Sequence, residues 1–270
     1  GVAGWSYDDW QDTVYRLPAA RGPVQPSLFG DDTAGSADTR GRYPDDRLAF
    51  LAEYVDMIEI NSTFYRVPSN RTAMSWRERV SGKPSFFFTA KLHRDFTHEF
   101  SRDAQAARQF RDALQPLQDS GLLRGILVQF RYDVADSDET RQHLAWISEQ
   151  FGAFAHLIVE VRHRSWQDPA ALAFLDSLGV TTAALDYPAG SDSFTADHCP
   201  AGGDAYLRLH GRNRKAWYSG DVPVYETYNY NYSNAEIQGL AERGRQMLST
   251  VRQLTIVANN HYRGKAVSAA

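Results

Sequence analysis

Acidic, basic and amide side chains recur at the ends of short apolar runs in this chain. Glu59 and Asn61 close Ile58-Glu59-Ile60-Asn61, and Lys91 and His93 alternate with Leu92. Gln129 and Arg131, then Glu160 and Arg162, end the next two runs, and Asp186 ends a sixth. Tyr206, Arg208 and His210 alternate with Leu207 and Leu209, and the last run ends at Asn259-Asn260-His261. These residue types suit acid–base chemistry on a small anion. Arg162 and Arg208 offer guanidinium forks to a carboxylate or phosphate, and Lys91 offers a compact charge. Glu59 or Glu160 is the candidate general acid or base, and His210 exchanges a proton near neutral pH. Asn61 and Asn260 orient substrate through amide hydrogen bonds, while Trp5, Tyr65 and Trp166 form walls that exclude water. Buried without partners, such charges cost on the order of several kcal/mol each. Glu59, Glu160 and Asp186 are therefore expected to offset Lys91, Arg162, Arg208 and His210. The competing reading is an ion-pair plug that satisfies itself and binds nothing. Arg208→Ala separates the two: at a ligand site it abolishes binding with little loss of fold, provided the carboxylate partner reaches water.

Two other chemistries fit less of the pattern. Glu59, Glu160, Asp186, His210 and His261 supply oxygen and imidazole donors for a divalent metal that hydrolyses a phosphodiester, but no HExxH or Cys/His spacing accompanies them. A nucleic-acid partner would use the basic stretch His210-Gly211-Arg212-Asn213-Arg214-Lys215, which serves equally as a solvated loop. A non-catalytic barrel that binds a sugar or base would stack it on the tyrosines of residues 225–232, which read equally as a lid before a helix. Ser6, Ser62 and Ser165 lie in no GxSxG elbow, and Cys199 has only His198 beside it. No cofactor is assigned.

Those run ends need elements to bring them together. The apolar runs are residues 2–5, 57–61, 85–93, 125–131, 157–162, 181–186, 205–210 and 254–259, which makes eight candidate strands. Helical periodicity fills the gaps at 46–55, 69–80, from Ser101 onward, and at 136–151, 168–178 and 233–251. Ser69 is a candidate cap with Met74 and Trp76 on the buried face behind it, and Ser233 or Asn234 caps the last helix. Alternation of strand and helix implies parallel strands, and eight of them imply a TIM-like (β/α)8 barrel. The barrel forms one domain over 1–270. An open doubly wound sheet is the alternative, but Gly4-Trp5-Ser6-Tyr7-Asp8 is no phosphate-binding turn. In a barrel the polar run ends gather at the C-terminal rim. Residues 17–45 form a long Gly- and Pro-rich excursion, residues 187–204 an irregular sixth unit, and the final helix is truncated.

Composition fits an ordinary soluble globular protein and gives no reaction: 270 residues, 43% hydrophobic, 23% charged and a net charge of −4. One cysteine excludes an intrachain disulfide, and no apolar run reaches the roughly 18 residues that span a bilayer. The expectation is a cytoplasmic chain with a small-molecule anionic ligand and no membrane partner; oligomeric state is left open.

Five blocks carry a family resemblance. Gly4-Trp5-Ser6-Tyr7, Glu59-Ile60-Asn61-Ser62-Thr63-Phe64-Tyr65, Glu160-Val161-Arg162-His163-Arg164-Ser165-Trp166, Tyr206-Leu207-Arg208-Leu209-His210-Gly211-Arg212 and Asn259-Asn260-His261-Tyr262-Arg263-Gly264 resemble the YecE-like family, also called domain of unknown function 72. The resemblance covers almost the whole chain and implies a TIM-like barrel, but no reaction. The family's usual Gln-Phe-Pro-Pro is here Gln129-Phe130-Arg131-Tyr132, and its Arg-His-Pro-Ser-Trp is Arg162-His163-Arg164-Ser165-Trp166. Both departures add an arginine near the expected rim.

Overall fold

The computed structural model describes residues 1–16, 44–219 and 221–270. The excursion expected at 17–45 therefore lies outside the described residues, apart from its last two positions.

Eight parallel strands close into a barrel in chain order. They are β1 Val2–Ala3, β2 Met57–Ile60, β3 Phe87–Lys91, β4 Leu123–Gln129, β5 Leu157–Glu160, β6 Thr181–Asp186, β7 Asp204–Leu209 and β8 Gln253–Ala258. Val2 pairs with both Ile58 and Ala258, which completes the ring. The helices are α1 Arg47–Leu51, α2 Asn70–Val80, the single turn α3 Arg94–Thr97, α4 Ala104–Asp119, α5 Asp138–Phe151, α6 Pro169–Ser177, the short α7 Arg214–Trp217, α8 Asn234–Leu248 and α9 Lys265–Ala269. The TIM-like barrel expected from the alternation is the observed fold. Residues 187–203, between β6 and β7, contain no helix, and the closing helix α9 is five residues long.

Local chemistry sets these boundaries. The Ser69 hydroxyl accepts the Thr72 amide at 3.1 Å and starts α2. Asp168 caps α6, whose first residue Pro169 has no amide proton to leave unpaired. Ser233 and Glu236 form a reciprocal capping box on α8. Met74 was expected on the buried face of α2; it is 40% exposed, and Ala73, Trp76 and Val80 carry that face instead.

The strands alternate as parallel strands under helices must. Ile58 and Ile60 join the outer core with the α2 residues, while Met57, Phe87, Leu127, Ile158, Ala183 and Val257 form a separate core inside the ring. Above that apolar filling, Thr89 Oγ1 lies 3.0 Å from the Tyr206 hydroxyl, which donates to Glu59 Oε2 at 2.9 Å. The barrel interior therefore turns from apolar to polar along its axis, and the polar end is the C-terminal rim.

Candidate functional site

The strand register places the charged residues in one layer. Glu59 pairs with Thr89 across β2 and β3, Gln129 with Glu160 across β4 and β5, and Arg208 sits in register with Leu185 and Val257. Arg208 reaches across the ring. Its Nε and Nη2 donate to the two oxygens of Glu59 at 3.1 and 2.6 Å, and its Nη1 donates to Gln129 Oε1 at 3.2 Å and to Glu160 Oε2. The other Glu160 oxygen accepts Arg162 Nε at 2.7 Å. Glu59 and Glu160 are wholly buried and Arg208 is 1% exposed. Burial alone would raise the Glu160 carboxyl, but the guanidiniums of Arg208 and Arg162 outweigh it and hold the group well below the usual carboxylate range. Burial lowers Arg208, yet the two carboxylates raise it further, so it stays charged.

His210 lies beside this layer, fully buried. Its Nδ1 is 3.0 Å from Asn259 Nδ2 and its Nε2 is 3.5 Å from Glu160 Oε1. Burial pushes its pKa down to about 4, against the pull of Glu160, so the ring is neutral at pH 7.

A cavity of about 390 Å³ opens above the layer. Its floor and polar wall are Arg208, Gln129, Lys91, Asn61 and Asn259, and its aromatic wall is Trp5, Tyr7, Tyr65, Tyr225, Tyr228 and His261. The aromatic wall is a stack: the His261 ring lies 4.6 Å from Tyr7 and 4.8 Å from Tyr228. Gly4 makes room for it. Its φ of +85° is left-handed, and a Cβ there would stand 2.7 Å from the Tyr7 hydroxyl. Lys91, the last residue of β3, has no carboxylate of its own. Among the described residues its Nζ makes no hydrogen bond or ion pair and lies 4.0 Å from the Phe64 ring centroid. Burial, then the nearby Arg208, pulls its pKa down to about 7, and the carboxylates Glu160 and Glu59 only partly resist.

The structure brings together Glu59, Glu160, Lys91, Arg162, Arg208 and His210, the residues expected to share one cup. It divides them between a paired layer, in which, of the buried nitrogens, Arg162 Nη2 and His210 Nε2 alone lack a hydrogen-bond partner among the described residues, and an open wall. Trp5, Asn61 and Tyr65 line the cavity, Tyr65 at its exposed edge. Three expectations need correction. Trp166 is wholly buried in the outer core, where its indole donates to the Val134 carbonyl at 3.0 Å; it walls no cavity. Asp186 points away from the cup, accepting Arg212 and the Tyr232 hydroxyl. Asn260 is buried with its amide on the Tyr230 carbonyl, and its neighbour Asn259 lines the cavity instead. The condition attached to Arg208→Ala also fails, since neither carboxylate partner reaches water. Gln129, Tyr7 and His261 were outside the expected ligand-binding set. For Gln129 and Asn259 the signal was present: each continues the inward alternation of its strand, from Leu127 and from Val257.

The metal reading loses its donors to other partners. Glu59 and Glu160 are held by guanidiniums, Asp186 lies elsewhere, and among the described residues no three His, Cys, Asp or Glu side chains are grouped to hold an ion. The basic stretch is also engaged, because Arg212 pairs with Asp186 and Glu236 and Arg214 donates to the Ala189 carbonyl. No helix among the described residues is long and apolar enough to cross a membrane.

Comparison with known proteins supports the fold across the full chain. A DUF72 family protein from Thermotoga maritima is 25% identical, with a TM-score of 0.76 over 100% of this chain and 94% of its own. A DUF72 family protein from Enterococcus faecalis is 22% identical, with a TM-score of 0.73 over 83% of this chain and 85% of its own. No curated protein matches the chain. The model of the family described as "Protein of unknown function DUF72" matches residues 1–270, and the chain therefore belongs to that family.

Proposed function

We propose that the chain is an enzyme that draws a small anionic substrate, a phosphate-bearing one included, into the rim cavity and moves a proton on it. The observation that carries this reading is Lys91. In the layer below, two carboxylates face two guanidiniums, so the charge there is balanced and each oxygen of Glu160 and Glu59 accepts from a donor. Lys91 is a cation beyond that balance, set in a cavity wall with no counter-ion among the described residues. A bound anion supplies one. Arg208 acts through its field rather than as an open fork, because each of its guanidinium nitrogens already donates to Glu59, Gln129 or Glu160, and Arg162 adds the field of a guanidinium bonded to Glu160 through its Nε. Asn61, Gln129 and Asn259 supply neutral hydrogen bonds, and the Tyr7–His261–Tyr228 stack covers an apolar face. Glu59 and Glu160 then set the field that tunes Lys91, and the proton-carrying role passes from them and His210 to the amine that faces the substrate. Composition alone supports a cytoplasmic location.

Thermal unfolding with inorganic phosphate and small phosphorylated metabolites tests this. Wild type at pH 6 is expected to gain several degrees, because ligand at a hundred times its dissociation constant stabilises by about 2.7 kcal/mol. The gain should shrink above pH 7, as the free amine loses its proton there and the anion loses its partner. Lys91→Met should keep its own melting temperature within a degree or two and show no gain. An equal gain in the variant, or none in wild type with any anion at pH 6, refutes the reading.

A further inference from the structure

The chain contains four lysines, Lys83, Lys91, Lys215 and Lys265, among 29 basic residues. Lys83 pairs with Glu53, Lys265 donates to Asn229, and Lys215 is exposed on α7. Lys91 alone faces the cavity. A purely electrostatic role there would suit arginine, which this chain uses almost everywhere else. Lysine differs in one chemical respect that matters in a cavity: once deprotonated, it carries a nucleophilic lone pair.

We propose that Lys91 forms an iminium with the carbonyl carbon of a small aldehyde or ketone seated in the rim cavity. This rests on the cavity being the substrate site and goes further by naming the substrate's reactive group. The charged groups facing the amine come from several elements: Arg208 on β7, Glu160 and Arg162 at the end of β5, Glu59 on β2, and His98 after α3. Both carboxylates among them are committed to guanidiniums, so among the described residues no anion pairs directly with the amine. Its pKa near 7 leaves about half of it unprotonated at neutral pH. The unprotonated Nζ adds to the carbonyl carbon: a C–N bond forms, the π pair of the carbonyl moves to oxygen, and one proton passes from nitrogen to that oxygen. A second proton, from solvent, lets the hydroxyl leave as water with the C–O bond pair. The nitrogen lone pair then completes the C=N bond. One proton is taken up and one water released, with no oxidant or reductant. Asn61, Gln129 and Asn259 stand in the same wall as donors for the carbonyl oxygen. The iminium withdraws electrons from the adjacent carbon, so the reaction class is one that makes or breaks a bond at that carbon.

The test is reductive trapping on the full chain. Glyoxylate or glycolaldehyde phosphate is added with sodium cyanoborohydride, and the adduct is located by peptide mapping. Labelling of Lys91 is expected at least tenfold faster than that of Lys83, Lys215 or Lys265, rising with pH to a plateau just above 7. Inorganic phosphate should slow it, and Lys91→Arg should remove that peptide's label and leave the other three unchanged. Lys91 labelled no faster than the other lysines overturns the proposal. If phosphate still raises the melting temperature in that case, the anion site stands and only the nucleophile falls. If phosphate neither stabilises nor protects and Lys91 is inert, both readings fall. Fast labelling without any phosphate effect supports the nucleophile and overturns the anionic substrate.

Discussion

Two ion-pair clusters stand at the same end of the barrel and are built from the same side-chain types. In the first, Arg208 bridges Glu59 and Glu160 beneath the cavity, with all three wholly or almost wholly buried. In the second, Arg212 bridges Asp186 and Glu236, with its own side chain 39% exposed, while the Tyr232 and Tyr230 hydroxyls bond the same two carboxylates. The first is a floor without access to water. The second is a latch that ties the loop before α8 to the ends of β6 and β7, and water reaches it. The difference teaches that chemistry at this rim is decided by which charges have an alternative partner. A latch charge that loses its mate is resolvated, a floor charge is stranded, and Lys91 has, among the described residues, a cavity instead of a mate.

The largest effect expected from that contrast is at the floor. Arg208→Met should cost about 3–5 kcal/mol in urea unfolding at pH 7, because it leaves buried carboxylates uncompensated. The pH profile should invert as well. In the native protein the Glu160 carboxyl is held below its ordinary value of 4.5. Its contribution is therefore present above the unfolded pKa and is lost as pH falls through the folded one. With Arg208 gone, burial acts on the Glu160 carboxyl without its main counterweight, so the variant should gain stability relative to wild type as pH falls from 7 to 4. A loss below 1 kcal/mol, or a parallel profile, would show that water enters the floor.

This contrast also marks what the sequence can disclose. Period-two alternation and strand ends place the barrel, its rim and the inward direction of Glu59, Lys91, Gln129, Glu160 and Arg208, since a pleated strand leaves no other choice once Ile58, Ile60, Leu207 and Leu209 face the helices. Which charges are spare is not a local property. Arg208 meets Glu59 across 149 positions of chain and Glu160 across 48. Lys91 looks no different from Arg208 in a list of strand ends, and only the pairing in space leaves it over. Trp166 misled for a related reason: its block resembles a site motif, but its ring turns into the outer core to reach the Val134 carbonyl. Asn259 was legible, because Val257 faces inward and the next inward position is 259, yet the Asn-Asn pair made the choice look free.

At the latch the expected loss is smaller. Asp186→Asn removes the charge that receives Arg212 at 2.6–3.1 Å and the Tyr232 hydroxyl at 2.7 Å. Charge-assisted hydrogen bonds of this kind contribute about 1.5–3 kcal/mol when buried, and the exposure of Arg212 reduces that to about 1–2 kcal/mol. The local signature is sharper than the global one. Amide hydrogen exchange of residues 225–232 should rise by tenfold or more while the β-strands keep their protection. Because Tyr225 and Tyr228 line the cavity, anion binding should weaken through loss of a preformed wall, with Lys91 untouched. Exchange that rises equally in the strands would mean that Asp186 belongs to the floor after all.

The smallest effect separates charge from shape within the latch. Glu236 accepts the Ser233 amide at 2.8 Å, the Tyr230 hydroxyl at 2.6 Å and Arg212 at 3.2 Å. The Tyr230 bond, then the Ser233 amide, pull its pKa down to about 2. Glutamine keeps the shape of the carboxyl and drops the charge together with one of the two acceptor oxygens, so Glu236→Gln removes the charge at the smallest change in volume. Near the surface, where water screens it, that charge contributes about 0.5 kcal/mol at the start of α8. Since the folded pKa lies below the ordinary 4.5, the contribution is complete above 4.5 and disappears as pH falls toward 2. Unfolding curves of wild type and variant should therefore differ at pH 7 and converge near pH 2. High salt at pH 7 should close most of the same gap, because it screens an exposed pair and leaves the Arg208 floor unaffected.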